Sequence, residues 1–204
     1  MIDKDQQLIS GLKALALEPT PEKMGKLGQL YDLLRRWNQV FNLTTVTDPK
    51  GFVTLHILDS LTIRRFLQGN RIVDVGTGAG FPGLPLAIFE PDREFVLLDA
   101  SVKKIRFVRQ AVLELGLDHV DTVHSRVEQY QPPDPFDTVV TRAFADLATG
   151  FNRCRHLMKP GGKFIAMKGK YPQTELETLA NYRVESVIVP GLEAERHLVE
   201  IKTP

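Results

Sequence analysis

The chain has 204 residues, 43% of them hydrophobic and 25% charged, with a formal net charge of +1. Such a length and balance imply one soluble domain with at most a small appendage, and exclude fibrous and disordered classes. No apolar run is long enough to cross a bilayer, and residues 1–20 lack the basic start and apolar core of a secretory signal. The single cysteine, Cys154, excludes an internal disulfide and fits a reducing cytoplasm, where a monomer free of membrane is expected. Charge is unevenly spread: residues 101–170 carry 12 Lys/Arg against 7 Asp/Glu. One face is therefore suited to an anionic partner.

In chain order, the first 66 residues read as helical. Thr20 is placed to cap a helix with Pro21 at its first position, and Met24, Leu27, Tyr31 and Leu34 recur at helical spacing. Trp37 and Phe41 extend that stripe, with Trp37 assigned to the core, and "NLTTVTDPKG" ends it. A further helix is expected over Phe52–Phe66. From Arg71 the pattern changes to short apolar strands, "RIVDV", "EFVLLD", "HVDTVH", "FDTVVT" and "KFIAMK", separated by helical stretches. Such alternation implies right-handed crossovers and a parallel, doubly wound sheet. The last two strands, "YRVESVIV" and "RHLVEIK", have no helix between them and are expected as an antiparallel hairpin on one sheet edge.

The stretch "DVGTGAGFPG" (residues 74–83) follows the first strand, where the carboxyl end of a doubly wound sheet holds its ligand. Gly78, Gly80 and Gly83 fit a dinucleotide fingerprint with Asp99 about 20 residues on. Gly76, Gly78 and Gly80, with Asp74 still inside the strand, fit the S-adenosylmethionine loop of class I methyltransferases. Pro82 and Pro85 remove amide donors that a pyrophosphate would use, no second domain follows, and the terminal hairpin suits a methyltransferase sheet. The methyltransferase frame prevails. The expected fold is α/β, Rossmann-like and class I: a mostly parallel seven-stranded sheet over residues 67–204, with residues 1–66 as a helical extension packed on it.

"RRWNQVFNLTTV", "HILDSL", "DVGTGAGFPGLPLAI", "LLDASVKKIRFV", "SRVEQY", "TRAFA", "MKGK" and "ERHLVEIK" occur in order between Arg35 and Lys202. This ordered set resembles the RsmG family, bacterial 16S ribosomal RNA guanine-N7 methyltransferases also known as glucose-inhibited division protein B. The resemblance implies methyl transfer from S-adenosylmethionine to a guanine of the small ribosomal subunit, with no metal. It places Gly76, Phe81, Val127, Glu128 and Arg142 around the cofactor; the glycine loop adds Thr77, Gly78 and Gly80, and the end of the second strand adds Asp99 and Ala100.

Each later strand leads into cations: Lys103, Lys104 and Arg106 after the second, Arg126 after the third, Arg142 after the fourth, Lys168 after the fifth. Strand carboxyl ends share one edge, so these side chains are expected to converge on the crevice. Lys103 and Lys104 fall in a helical first turn, where the dipole disfavours each by roughly 0.3–1 kcal/mol. Phosphate binding, or an ion pair with Asp99 or Glu128, would offset that cost. Arg126, Arg142 and Lys168 are the candidates to position the guanine and its phosphates, with Lys103, Lys104, Arg106 and Arg196 extending an RNA track. Ser125 and Glu128 form a capping-box pattern. His56, Asp59 and Ser60 share one helix face, where a surface hydrogen bond is the favoured reading.

A ring nitrogen such as guanine N7 bears a lone pair and no proton, so its methylation needs no general base. Methylation of pyrimidine carbon needs a cysteine nucleophile, and Cys154 lies in a helix away from every strand end. The fourth strand ends Thr141-Arg142-Ala143, without the Asn/Asp-Pro-Pro-aromatic motif usual for exocyclic amines. Three alternatives stay open on residues alone. A small-molecule methyltransferase would not need the basic rim; an NAD-linked oxidoreductase would need His56 or His124 as acid or base; a non-catalytic RNA-binding protein would bind no cofactor.

Overall fold

The computed structural model describes residues 2–203, and the side chains of residues 5–203. Helix α1 spans Ile2–Ala14 and α2 Pro21–Phe41. The α2 start follows the sequence reading: Thr20 is extended, its Oγ1 accepts from the Lys23 amide, and Pro21 occupies the position where a missing N–H costs nothing. Its far end closes on Asn42 in the left-handed region, with φ 47°.

The next helix, α3, differs from the expected Phe52–Phe66. It begins with the turn Pro49–Gly51, capped by Asp48, continues as a π-helical stretch Phe52–Leu58, and ends with the turn Asp59–Leu61. A separate 3-10 turn covers Arg64–Phe66. The wider π turn, in which the Asp59 amide bonds to the Thr54 carbonyl, rotates the face that the helix buries.

The sheet comprises β1 (Arg71–Val75), β2 (Glu94–Asp99), β3 (Val120–His124), β4 (Phe136–Arg142), β5 (Met158–Lys168), β6 (Tyr182–Ser186) and β7 (His197–Lys202). Their order is β3-β2-β1-β4-β5-β7-β6; β7 runs antiparallel between β5 and β6, and the remaining pairs outside β6 are parallel. The hairpin thus adds an edge as expected, with its second strand inward. β5 starts five residues before "KFIAMK", with an irregular register against β4. Helices α4 (Gly83–Phe89), α5 (Val102–Glu114), α6 (Leu147–Cys154) and the short α7 (Gln173–Leu176) make the crossovers.

Alternate strand residues feed two cores, as the two-residue period requires. Ile72, Phe95, Leu97, Val140, Ile165 and Leu198 join one core with α1, α2, α3, α4 and α5. Val73, Val96, Val139, Phe164, Ala166 and Val199 join the other, against α6 and the 3-10 turn Arg155–Leu157. The amino-terminal helices therefore cover the sheet face toward which Asp74 also points. Trp37 is partly buried against this core, edge-on to Phe107 at 5.8 Å between ring centroids.

Candidate active site

The strand β1 ends at the glycine loop, where Gly76, Gly78 and Gly80 all take positive φ, at 74°, 63° and 86°. Glycine is demanded most at Gly80, where any Cβ would run into Leu84. The Gly76 and Thr77 amides both donate to the Leu98 carbonyl at the end of β2. Asp74 braces the loop from beneath: its Oδ2 accepts from Thr77 Oγ1 at 2.7 Å and from the Gly83 amide at 2.8 Å. Complete burial pushes its carboxyl up to about 6, against the opposing pull of those hydrogen bonds and of Arg142. The first amide of α4 is thus spent on Asp74, and Pro85 has none. A pyrophosphate would find no open helix terminus there.

Beside the loop lies a cleft of about 210 Å³ lined by Val75, Gly76, Asp99, Ala100, Val127 and Phe144, among others. Asp99 is the acid in that lining. Oδ1 accepts from the Ser101 amide at 2.8 Å, Oδ2 from the Gly78 amide at 2.9 Å, and Lys104 Nζ lies 3.8 Å away. A carboxylate has about four acceptor sites, so capacity remains for two hydroxyl donors. Those free acceptor sites and the apolar Val75–Val127 wall fit the nucleoside part of S-adenosylmethionine. The enclosed volume is below the roughly 300–1,000 Å³ of sites that swallow a whole drug-sized ligand.

Of the sequence-predicted cofactor residues, Gly76, Asp99, Ala100 and Val127 line this cleft. The others do not. Thr77 is buried as a brace, and Gly78 reaches the cleft only through its amide bond to Asp99. Phe81 is buried beneath His56 and Phe52, with the His56 ring stacked on it at 4.3 Å. Glu128 points outward to Arg153 at 3.3 Å. The capping box is not formed: only a 3-10 turn, Val127–Gln129, follows Arg126, and Ser125 Oγ donates to the Arg126 carbonyl instead. Ser101 likewise begins α5 without a side-chain cap bond.

The cations do not converge as a set. Lys104 takes the Asp99 alternative, while Lys103 donates to the Phe41 carbonyl at 3.2 Å, completing the end of α2. Lys168 is held by Glu175 at 2.7 Å, which consumes its charge within the fold. Arg106 and Arg126 are exposed and unpaired among the described residues. Arg142 and Arg196 converge on Asp59, which helical periodicity places on a surface but which is only 4% exposed. Asp59 Oδ1 accepts from Arg196 Nε at 3.0 Å and Oδ2 from Arg142 Nη1 at 3.4 Å. Arg142 also donates to the Leu55 carbonyl at 2.9 Å and lies over the Phe81 ring.

His56 is likewise buried, not on a surface. Its Nε2 lies 2.9 Å from Thr44 Oγ1, while Nδ1 has no partner. Burial, then the Arg142 charge, lower its pKa to about 4, so the ring is neutral near pH 7. Ser60 Oγ bonds the His56 carbonyl, and no His56–Asp59 bond forms. Cys154 is fully buried as the last residue of α6, and burial raises its thiol to about 12, which keeps it from acting as a nucleophile.

A parallel sheet with an inserted antiparallel strand, a glycine loop after β1 and an acid after β2 define a class I methyltransferase fold. Solved structures of this class superpose accordingly. A SAM-dependent methyltransferase from Aquifex aeolicus matches with a TM-score of 0.57 at 21% identity, over 77% of this chain and 94% of that one. The O-methyltransferase TomG from Streptomyces achromogenes, solved with SAM, matches at 0.57 and 18% identity, over 88% and 90%. Sequence narrows the class. The family model "rRNA small subunit methyltransferase G" matches residues 23–199. Ribosomal RNA small subunit methyltransferase G of Aeromonas hydrophila is 50% identical over 90% of this chain and 87% of its own length; that of Pasteurella multocida is 48% identical over 99% and 100%. The chain belongs to the ribosomal RNA small subunit methyltransferase G family.

Proposed function

We propose that this protein transfers the methyl group of S-adenosylmethionine to N7 of a guanine in 16S ribosomal RNA of the small subunit, as a cytoplasmic monomer. The observation that carries the proposal is near-half identity, over almost the full length, to relatives named as small-subunit ribosomal RNA methyltransferases. The cleft supports it by offering an acid, Asp99, among apolar lining residues. S-adenosylmethionine supplies, when bound, an electrophilic methyl on a sulfonium. The chain's task is to hold two reactants in line and exclude water, where positioning alone contributes much of the rate.

In this reading Asp99 accepts the ribose hydroxyls, and Gly76, Ala100 and Val127 flank the base. The amino-acid part runs over the glycine loop, because the enclosed cleft is too small for the whole molecule. Arg142 and Arg196 share one carboxylate, Asp59, and so keep guanidinium N–H groups beyond those it accepts. Those N–H donors serve guanine O6 or a phosphate; a donor on N7 itself would block the reaction. Exposed Arg126 and Arg106 contact the RNA backbone with Lys103. Lys168, held by Glu175, leaves the track and supports the β5 end. Neutral His56 and the inert Cys154 play no part in proton or nucleophile chemistry, consistent with an acceptor that needs neither.

The test is transfer of labelled methyl to small ribosomal subunits that lack the modification, followed by mass analysis of nucleosides from digested 16S RNA. N7-methylguanosine is expected. Label on another base or on an exocyclic amine, or no transfer from a chain that binds S-adenosylmethionine, would overturn the proposal.

A further inference from the structure

Resting on that reading, we propose that the cavity between the carboxyl end of α2 and the start of α3 is a subsite for a second, unpaired nucleobase of the RNA, next to the guanine that is methylated. The cavity holds about 350 Å³, more than the cleft beside the glycine loop, and its walls include Tyr31, Phe52, Arg35, Gln39 and Asn42. Half-buried Tyr31 supplies the aromatic wall, backed at 5.0 Å and 60° by the buried Phe52. The Arg35, Gln39 and Asn42 side chains at the rim are exposed and make no hydrogen bond or ion pair among the described residues. An aromatic wall with an amide and guanidinium rim matches a base, which offers a π face and a polar edge. A lipid would want a wholly apolar lining, and a phosphate alone would not use the aromatic wall.

The cavity is built and not a slack fold. Asn38 forks onto the following loop, donating from Nδ2 to the Thr44 carbonyl at 3.0 Å and accepting from the Thr44 amide at 2.9 Å. Asn42 turns the chain through the left-handed region between them. The loop therefore stands off the helix by fixed bonds, ready before any ligand arrives. It also joins the site already described. Thr44 contacts His56, His56 stacks on Phe81, and Phe52 meets Phe81 at 6.2 Å, where the glycine loop ends. On its other side, Lys103 touches the last turn of α2.

Two variants and a cross-link test this. Thr47→Trp fills the cavity from its exposed rim, and the double variant Gln39→Ala, Asn42→Gly strips the polar edge while glycine keeps the left-handed turn. Each should raise KM for small subunits about ten-fold, the value of roughly one lost base contact, with kcat within about two-fold. S-adenosylmethionine affinity and melting temperature should stay as in the parent. Ultraviolet cross-linking of parent protein to subunits should trap peptides carrying Tyr31. An unchanged KM in both variants, a fall in kcat alone, or cross-links confined to α5 would overturn the subsite. A parent chain that binds subunits on a filter, loses that binding with Thr47→Trp, yet transfers no methyl would overturn the proposed reaction and leave the subsite standing.

Discussion

Asp59→Asn tests the physical account most directly. The carboxylate is 4% exposed and holds two guanidinium groups from far along the chain, Arg142 on β4 and Arg196 before β7. Asparagine keeps the shape and one carbonyl acceptor but removes the charge, leaving two cations against each other. Breaking a buried ion pair by neutralising one partner costs about 3–5 kcal/mol. Here the two arginine side chains retain 23% and 21% exposure, so water recovers part of the loss and the lower end, about 3 kcal/mol, applies. For a chain of this length that lowers the melting temperature by roughly 6–12 °C, read by calorimetry or circular dichroism at pH 7. Adding Arg196→Gln to Asp59→Asn should be less than additive by about 1 kcal/mol or more, because the second change relieves the repulsion. A melting point within about 2 °C of the parent, or strict additivity, would show that Asp59 does not hold the two arginines.

Three further outcomes follow from the same geometry. The Asp74 carboxyl lies above its unfolded value, so the folded state binds the extra proton and this group's contribution is lost as pH rises from about 4 through about 6. Relative to Asp74→Asn, the parent should lose about 3 kcal/mol over that window, and urea midpoints that track in parallel would refute the assignment. His56 behaves oppositely: its folded pKa is lowered to about 4, so stability is lost as pH falls from about 6.5 toward 4, by about 3 kcal/mol relative to His56→Gln. A ring carbon shift in the NMR spectrum that titrates near 6.5 would contradict this. Gly80→Ala combines positive φ with a collision against Leu84 and should cost about 3 kcal/mol, whereas at Gly78 a Cβ meets nothing nearer than the Gly76 carbonyl at 3.9 Å, so alanine there should cost only about 1–2 kcal/mol. Equal urea stabilities of the two variants would count against this ordering.

Much of the scaffold was legible from local pattern. Strand cores have a two-residue or continuous apolar period, Thr20-Pro21 carries its own start signal, and a glycine loop needs only its neighbours along the chain. Local pattern does not reach a side chain whose partner lies far away. Helical spacing puts His56 and Asp59 on one face, yet it cannot say which face is covered, and the π turn rotates that face again. Ser125 and Glu128 have the spacing of a capping box, but the segment leaves β3 as a 3-10 turn too short for the reciprocal bonds.

By itself the sequence determined the order of elements, the doubly wound sheet with its terminal hairpin, the place of the glycine loop, and the family. These rest on interactions between residues near in the chain, or on ordered motifs. Only the tertiary structure decided which charges are free. Arg142 meets Asp59 across 83 residues and Arg196 meets it across 137, while Lys168 is quenched by Glu175. A cation's role depends on the carboxylates within a few ångströms, because Coulomb attraction and desolvation act through space and not along the chain.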